Sequence, residues 1–422
     1  MQYNYQTEAD LYCNSTCIPA LFMEQRVGKS YVAIRAVLRK ETFPVLIVTP
    51  YSAVLSWKTA LTDFKQSDIQ ILEGNTGKRV KALLQYHRWF ITNYEAYRTI
   101  PEELYNVEWS CIILDESDTI KNPKAKVTKY YTSLGDAVQH KYILSGTFDI
   151  LHPTNYFSPL RFLSSEIFGS NYYGFLKRYF YKPAFKWILR KNKKEDFACI
   201  LSKYTYTLKR ADIPGFKKTT YETVVVDKSK IFITLENNLL YKYELIFKEI
   251  YKQTIWVTVM MQWYRLLCGG FIFDINIDKL KLNKLKELAC KPIVIFACFK
   301  IEVRTIAKYL NIPFIDGSVN VKTRRHLVEN HRGSIVINPH SFSMGGNLSH
   351  YNTVVFYSLP YSLRLFKQAV DRLVMYGKDT HCIYLLREDT IDEDIYKAYK
   401  KNLSESKTIQ SLVKKYTLIK EV

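Results

Sequence analysis

The chain has 422 residues, enough for two or three domains, and its hydrophobic (47%) and charged (24%) fractions exclude a disordered or collagen-like class. Its net charge of +21 predicts a polyanionic partner, with nucleic acid the best candidate, unless the lysines only form solvated faces. The eight cysteines include no CxxC pair, which excludes a disulfide framework and a zinc site. The chain has no long apolar stretch and its start is polar, which excludes a membrane partner and secretion. These features favour a cytosolic chain.

Short apolar runs alternate with helical patterns in the first third of the chain. They lie at residues 45–48, 89–92, 111–114 and 142–144. Each run ends at polar or turn residues, as strands of a parallel sheet do where α/β proteins form their sites. This pattern predicts an α/β lobe over residues 1–155.

Residues 21–30 of this lobe read LFMEQRVGKS and precede a helical pattern. Gly28, Lys29 and Ser30 have the chemistry of the end of a phosphate-binding loop. The glycine lets backbone N–H groups approach phosphate, the lysine neutralises phosphate oxygens, and the serine hydroxyl reaches magnesium. Met23 stands where the loop pattern has its first glycine, so GKS alone is also compatible with a chance match.

An acidic pair, Asp115 and Glu116, follows the apolar run at 111–114. An aspartate in this place can hold magnesium through its water shell, and the adjacent glutamate can orient and deprotonate an attacking water. A strand-ending turn or helix cap is the simpler explanation of an isolated pair. Because the pair follows a GKS loop in the same α/β region, the combination favours an ATPase.

The middle of the chain, residues 156–285, is aromatic, rich in lysine and mainly helical in pattern. Leu240, Tyr243 and Phe247, for example, fall on one helical face. Between residues 181 and 210, nine Lys or Arg accompany only two acids, which fits either a phosphate-facing protrusion or a solvated helix. The candidate DNA contacts in this segment are Lys191, Lys193 and Lys194.

A second set of apolar runs begins after residue 285. The runs lie at residues 293–296, 334–337, 353–357 and 381–386. They predict a second α/β lobe over residues 286–422, so the chain is expected to have two lobes joined by a helical, basic section.

Further motifs occur in a fixed order along both predicted lobes. Those of the first are YQ (5–6), MEQRVGKS (23–30), VLIVTPYSAVLSWKTAL (45–61), ITNYEAY (91–97), LDESDTIKNPKAK (114–126), LSGT (144–147) and RFL (161–163). Those of the second are IVIFACF (293–299), FIDGSVNVKTRR (314–325), GGNLSHYNTVVFYSLPYS (345–362), QAVDR (368–372) and TIDEDI (390–395). In this order they resemble the SWI/SNF type of superfamily 2 helicases, which includes chromatin remodellers, recombination motors and phage branch-migration helicases.

This resemblance implies two RecA-like lobes with ATP and Mg²⁺ in the cleft between them. The residues that it assigns to ATP are Tyr5, Gln6, Arg26, Val27, Gly28, Lys29 and Ser30. The residues that it assigns to catalysis are Lys29, Asp115, Glu116, Gln368 and Arg372, with Ser30 and Asp115 as the metal ligands. Thr49, Tyr94, Ser145 and Asn347 stand at motif positions that contact the DNA backbone.

Three residues depart from the family pattern. Arg26 replaces a glycine of the phosphate loop, so the loop needs a shifted backbone or uses the guanidinium near phosphate. Asp118 stands where the family most often has histidine. Met375 replaces the second arginine of the QAVDR motif, which leaves Arg372 as the motif-matched arginine finger and Arg364, one turn before Gln368, as a rival.

The sequence therefore predicts an ATP-dependent DNA helicase or translocase that remodels forked or branched DNA in replication, recombination or repair, with proteins of those processes as possible partners. The compact length favours a minimal motor in a prokaryotic or phage-infected cytosol. Two alternatives stay open, namely the motor subunit of a restriction or defence system and a non-hydrolysing clamp switched by ATP. No residue excludes RNA.

Overall fold

The computed structural model describes residues 4–146, 152–183, 186–341 and 346–420. Thr147, at the end of the LSGT motif, and Gly345, at the start of GGNLSH, lie outside these ranges. The chain divides into two compact units, residues 1–214 and 215–422. Within the described ranges, no helix combines the length and the apolar character needed to cross a bilayer.

The main sheet of the first unit is parallel, with strand order β3-β4-β2-β5-β6-β1-β9. A short antiparallel hairpin, β7–β8, lies apart from it. The strands are β1 Ala20–Met23, β2 Val45–Thr49, β3 Ile69–Ile71, β4 Trp89–Asn93, β5 Cys111–Leu114, β6 His140–Ser145, β7 Phe180–Tyr181, β8 Ile188–Leu189 and β9 Thr205–Leu208.

Helices flank the parallel strands of this unit, and those after the first helix form the connections between them. They are α1 Thr7–Ser15, α2 Lys29–Lys40, α3 Val54–Asp63, α4 Thr76–Leu83, α5 Ala96–Thr99, α6 Pro101–Tyr105, α7 Lys126–Asp136, α8 Phe157–Leu163, α9 Ser165–Phe168, α10 Tyr172–Tyr179 and α11 Lys194–Tyr204. Central strands β1, β2 and β5 are buried along their whole length, which explains why they read as continuous apolar runs.

The second unit has a second parallel sheet, with order β10-β19-β18-β15-β17-β16. Two antiparallel hairpins, β11–β12 and β13–β14, accompany it. The strands are β10 Thr220–Val226, β11 Glu244–Phe247, β12 Ile250–Gln253, β13 Phe271–Ile272, β14 Ile275–Asn276, β15 Val294–Phe296, β16 Phe314–Ile315, β17 Ile335–Ile337, β18 Thr353–Phe356 and β19 His381–Arg387.

The helices of the second unit pack against this sheet and against one another through buried apolar side chains. They are α12 Lys230–Lys242, α13 Val257–Cys268, α14 Leu280–Leu288, α15 Lys300–Leu310, α16 Val321–Asn330, α17 Leu363–Asp371, α18 Ile391–Lys400 and α19 Glu405–Lys420. The two parallel sheets with flanking helices confirm the predicted fold class of two RecA-like lobes.

The middle section, predicted as residues 156–285, is divided between the two units at residue 214. It contributes strand β9 to the first sheet and strand β10 to the second. The predicted helical face of Leu240, Tyr243 and Phe247 is wrong, because α12 ends at Lys242. Tyr243 takes a positive φ of 58°, and Phe247 belongs to the following hairpin.

Candidate nucleotide and nucleic-acid site

The phosphate loop and the acidic pair lie at the same edge of the first sheet. Strand β6 pairs with β1 on one side and with β5 on the other, all in parallel. Neighbouring strands are about 4.8 Å apart, so the carboxyl ends of β1 and β5 are about 10 Å apart. The structure therefore brings the loop with Lys29 and the pair Asp115–Glu116 to one place.

The phosphate loop leaves β1 and enters α2 through two residues in the left-handed backbone region. Gly28, the N-cap of α2, has φ 88°, and the exposed Arg26 has φ 70°. Left-handed conformations suit glycine, so Arg26 keeps the backbone of the glycine that it replaces at some cost in strain. Val27, between them, is buried.

Gln6 is fixed between this loop and α2. Its side-chain amide donates to the carbonyl of Val27 (3.1 Å), and its Oε1 accepts from Nη2 of Arg35 (3.1 Å). Arg35 in turn pairs with the buried Asp10 through Nε, at 2.9 Å from Oδ2. A Cβ at Gly28 would lie 2.2 Å from Nε2 of Gln6, so any larger residue would displace this amide and would also be strained at a φ of 88°. Gln6 follows the half-buried Tyr5 in a 3₁₀ turn.

The Lys29 ammonium lies at the end of β1. Its Nζ donates to the carbonyls of Met23 (2.8 Å) and Glu24 (3.2 Å). Gly146 of the LSGT motif lies against it, since a Cβ at that glycine would be 3.2 Å from Nζ. Ser30 is half-buried in the first turn of α2. This turn presents backbone N–H groups and the positive end of the helix dipole.

The Asp115 carboxylate follows β5 and is held by several donors. Its Oδ2 accepts from the indole N–H of Trp57 (2.8 Å) and from the hydroxyl of Thr49 (3.1 Å), and its Oδ1 accepts from the backbone N–H of Glu116 (2.9 Å). Glu116 takes φ 48°, a left-handed conformation that is rare for glutamate. Such strain occurs where surrounding contacts determine the backbone, often at functional sites.

The residues present fit a magnesium site of the kind used with nucleotides. Mg²⁺ prefers carboxylate, hydroxyl and phosphate oxygens, and it keeps several waters, so it needs few protein ligands. Asp115 and Ser30 offer such oxygens at this sheet edge. The described residues contain no cluster of three or more His, Cys, Asp or Glu that could hold a metal by itself.

The motif positions predicted to contact DNA are mainly buried in the first unit. The exposed fractions are 0% for Thr49, 6% for Tyr94 and 1% for Ser145. Thr49 and Tyr94 both contact Asp115, the latter through its hydroxyl and the Asp115 carbonyl (2.8 Å). Their contact with DNA stays a prediction. The structure shows that the side chains of Thr49 and Tyr94 support the acidic pair.

The predicted basic DNA contacts lie on a 3₁₀ turn, Lys191–Lys193, and at the start of α11. Lys191 and Lys194 are exposed, whereas Lys193 pairs with Asp196 at 2.7 Å. This hydrogen bond and charge hold the pKa of Asp196 below its usual value. The charge of Lys193 is thus partly neutralised by Asp196 of the following helix, α11.

Gln368 and Arg372 belong to the second unit. They lie on one face of the α17 segment together with Arg364, at spacings of four residues. Arg364 is exposed, while Gln368 and Arg372 are half-buried. The carbonyl of Arg372 accepts from the N–H of Leu348, which links this helix end to the GGNLSH segment.

The remaining residues singled out by the motifs lie at the surface or near it. In the second unit, Asn347 is exposed and its Oδ1 accepts from the N–H of Ser349 (3.1 Å), and Met375 is also exposed. In the first unit, Oδ2 of Asp118 lies 4.0 Å from Nζ of Lys121.

Sequence reasoning missed the support that Trp57, Asp10 and Arg35 give to this site. Trp57 was part of a quoted motif, but a tryptophan at that position gives no sign that its N–H reaches a carboxylate 58 residues away. Asp10 and Arg35 are 25 residues apart and lie on two packed helices, α1 and α2. Neither residue belongs to a motif of the sequence, and no other signal marked the pair.

Comparison with known families agrees with this arrangement. The profile of the SNF2-related domain matches residues 4–256, more than half of the chain. The chain belongs to the SNF2-related family. The helicase conserved C-terminal domain matches residues 278–377 of this SNF2-family chain, which is therefore an ATPase of superfamily 2. The family is one of DNA-dependent ATPases.

Individual relatives are more distant. A Drosophila melanogaster SWI/SNF-related matrix-associated actin-dependent regulator of chromatin subfamily A-like protein 1 is 26% identical over 223 residues, which cover 50% of this chain and 29% of the relative. The Caenorhabditis elegans homolog is 30% identical over 158 residues, covering 37% and 23%. The mouse DNA excision repair protein ERCC-6-like 2 is 40% identical over 86 residues, covering 20% and 6%. The chain thus spans less than a third of these relatives.

Among solved structures, the chain is similar to the Sulfolobus solfataricus SWI2/SNF2 ATPase core in complex with dsDNA. The TM-score is 0.46 and the sequence identity is 19%, with 96% of this chain and 92% of that chain covered.

Proposed function

We propose that this SNF2-family chain is an ATP-dependent DNA helicase or translocase that remodels or unwinds forked or branched DNA in replication, recombination or repair. The observation that carries the proposal is the meeting of the phosphate loop and the acidic pair at one sheet edge, in a chain of this family. Lys29, Asp115 and Glu116 are the residues on which hydrolysis would depend.

The residues of the chain suggest a division of labour at this edge. The Lys29 ammonium would neutralise phosphate oxygens, and the first turn of α2 would bind them through N–H groups. Ser30 and Asp115 would hold magnesium, which supplies charge neutralisation of the phosphates when bound. Glu116 would orient the attacking water and take its proton, and Gln6 would contact the adenine. Gln368 and Arg372 of the second unit would complete the site.

DNA is the partner that the charge supports. A net charge of +21 favours a polyanion, and phosphate contacts place a protein on DNA without reading its sequence. Forked or branched DNA is favoured by shape and by unpaired bases, which stack on exposed aromatic rings. Tyr241, Tyr251 and Trp256 are exposed aromatic residues of the second unit. A role in repair is in line with the name of the mouse relative, a DNA excision repair protein.

A cytosolic location with replication or recombination partners belongs to the same proposal. All eight cysteines are free, and four of them are buried, as expected in a reducing compartment.

The test is phosphate release by the purified chain with single-stranded, duplex, forked and four-way DNA beside matched RNA. We expect DNA to raise turnover, with forked or four-way DNA most effective. The Lys29→Ala variant should bind ATP weakly, because it lacks the charge that holds phosphates. Glu116→Gln should bind ATP but turn it over far more slowly.

Other outcomes would favour the alternatives. ATP binding without DNA-dependent phosphate release would point to a clamp, and copurification with a nuclease or methyltransferase would point to a restriction motor. Equal affinity and full turnover in both variants would contradict the assignment of Lys29 and Glu116.

A further inference from the structure

The carboxylate of Asp115 is held in one orientation by two neutral donors from a neighbouring segment. Trp57 Nε1 and Thr49 Oγ1 both donate to Oδ2, at 2.8 and 3.1 Å, and Glu116 donates to Oδ1. Thr49, Trp57 and Asp115 are all buried. In such surroundings a hydrogen bond to a charged group is stronger than in water, and losing it leaves the carboxylate less restrained.

The backbone of the acidic pair is held from another direction. The hydroxyl of Tyr94 donates to the carbonyl of Asp115 at 2.8 Å, and the hydroxyl of Tyr131 donates to the carbonyl of Tyr94 at 3.1 Å. The Asp115 carbonyl belongs to the peptide unit that leads into Glu116, whose φ is 48°.

These supports come from two segments that also reach the surface. Thr49 ends strand β2 and Trp57 lies in α3, and between them the turn Tyr51–Ala53 carries the exposed side chain of Tyr51. Tyr94 follows strand β4 and precedes α5, which carries the exposed Arg98. Each segment therefore has one part at the surface and one part on the acidic pair.

We infer that Trp57, Thr49 and Tyr94 are positioning residues for hydrolysis. Trp57 and Thr49 orient the Asp115 carboxylate, and Tyr94 fixes the backbone that leads into Glu116. The part that concerns hydrolysis rests on the proposed function. Losing one of these donors would let the carboxylate or the backbone of the acidic pair shift. A misplacement of about 1 Å at reacting groups is enough to cost about 100-fold in rate.

The experiment removes single donors from the full chain. Trp57→Phe keeps an aromatic ring without the N–H, Thr49→Val keeps the shape without the hydroxyl, and Tyr94→Phe lacks only the hydroxyl. Two control variants each lose a hydrogen bond of the same kind elsewhere in the first unit. These are Trp109→Phe, whose indole donates to the Leu104 carbonyl at 2.8 Å, and Tyr130→Phe, whose hydroxyl donates to the Pro101 carbonyl at 2.7 Å.

The first readout is binding alone. Calorimetry gives the dissociation constant of ADP with Mg²⁺ and with EDTA, and the ratio of the two measures how well the site holds the metal. We expect this ratio to fall about tenfold in Trp57→Phe and Thr49→Val, the range found when residues supporting a metal ligand are removed. Thr49→Ser should restore it, and both controls should match the wild type.

The second readout is the rate of ATP turnover at saturating duplex DNA. We expect this rate to fall at least tenfold in Trp57→Phe, Thr49→Val and Tyr94→Phe, and to stay at the wild-type value in the controls. Unchanged binding ratios and unchanged turnover in folded variants would overturn the inference. If the wild type itself shows no turnover that depends on DNA, the proposed function fails, while the ADP measurement still decides whether Trp57 and Thr49 position Asp115.

Discussion

Arg26 and Gly28 show how single residues determine the shape of the phosphate loop. Both take positive φ, but only glycine does so without steric cost. Gly28 also leaves room for the Gln6 amide, which bonds the loop at Val27. Arg26 therefore takes a backbone conformation that suits glycine, and it does so with the steric cost that Gly28 avoids.

The strain at Arg26 predicts an unusual order of stability between two variants. A side chain with a Cβ costs about 1–2 kcal/mol in the left-handed region, and Arg26→Ala keeps that cost while Arg26→Gly removes it. We expect Arg26→Gly to unfold with a free energy about 1 kcal/mol higher than Arg26→Ala, measured by urea titration.

Arg190 provides the control, because its φ is −62° and its side chain is exposed. There glycine should be less stable than alanine by about 0.5–1 kcal/mol, since only its greater freedom in the unfolded chain matters. The same order at both positions would show that Arg26 is not strained.

At the scale of elements, the apolar runs quoted from the sequence predicted the central strands well. These strands are buried on both faces, so their sequences are continuous and easily recognised. Edge strands were missed. Strand β10 is exposed over most of its length and has only three apolar residues in a row, at residues 224–226, and β9 alternates polar and apolar residues in a lysine-rich stretch.

The candidate site was predicted only in part for a related reason. Motif order placed Lys29 and Asp115 just after two strands of one lobe, and the sheet brings them together. The bonds that hold them join residues far apart in sequence, such as Thr49 and Asp115, 66 positions apart. Such contacts depend on how segments pack after folding, which periodicity and spacing do not reveal.

Helix α17 carries the two candidate arginine fingers, Arg364 and Arg372. Arg372 follows the last turn and its carbonyl accepts from Leu348, so its backbone is fixed by two segments. We expect Arg372→Ala to bind ATP almost normally but to lose about 10³-fold in DNA-stimulated turnover, because a finger stabilises charge that develops in the transition state.

Arg364→Ala is the matched variant on the same helical face. Measured at saturating DNA, it should keep most of its turnover. The reverse result would make Arg364 the finger, and full activity in both variants would require another cation to complete the site.

The turn before α11 predicts a local contribution to DNA affinity. Lys191 and Lys194 are exposed, whereas Lys193 has Asp196 as its partner. If the first two meet phosphates, the double variant Lys191→Ala/Lys194→Ala should bind every DNA sequence more weakly. The slope of log affinity against log salt should also fall by about 2, or nearly one per phosphate contact.

A double variant of the exposed Lys407 and Lys414 in α19 removes the same charge from the other unit. It should leave the slope close to the wild type. An equal effect of the two double variants would mean that total charge matters and the turn does not.

At the scale of the whole molecule, the chain has two units whose buried apolar residues form separate clusters. Every residue proposed to hold nucleotide, from Tyr5 to Glu116, lies in the first unit. The proposed finger lies in the second. Weakening the second unit should therefore reduce hydrolysis while nucleotide binding by the first unit persists.

The buried ion pair between Lys281 and Asp392 offers a way to weaken the second unit alone. Nζ and Oδ2 are 2.7 Å apart, and the two side chains are 1% and 2% exposed. Oδ2 also accepts from the backbone N–H of Arg387 (3.2 Å). Asp392→Ala leaves the Lys281 charge buried without its partner, so we expect a loss of about 3–5 kcal/mol from the stability of this unit.

The control is Asp379→Ala, which breaks a pair of the same 2.7 Å length with Lys217 in the same unit. Those side chains are 51% and 76% exposed, so the loss should stay below about 1 kcal/mol. Calorimetric unfolding with and without ADP separates the two units, because ADP should raise the temperature of the unfolding transition of the first unit only. In Asp392→Ala we expect that transition and the ADP affinity to persist while DNA-stimulated turnover falls on warming. If Asp392→Ala also lowers the ADP-sensitive transition, the two units unfold together.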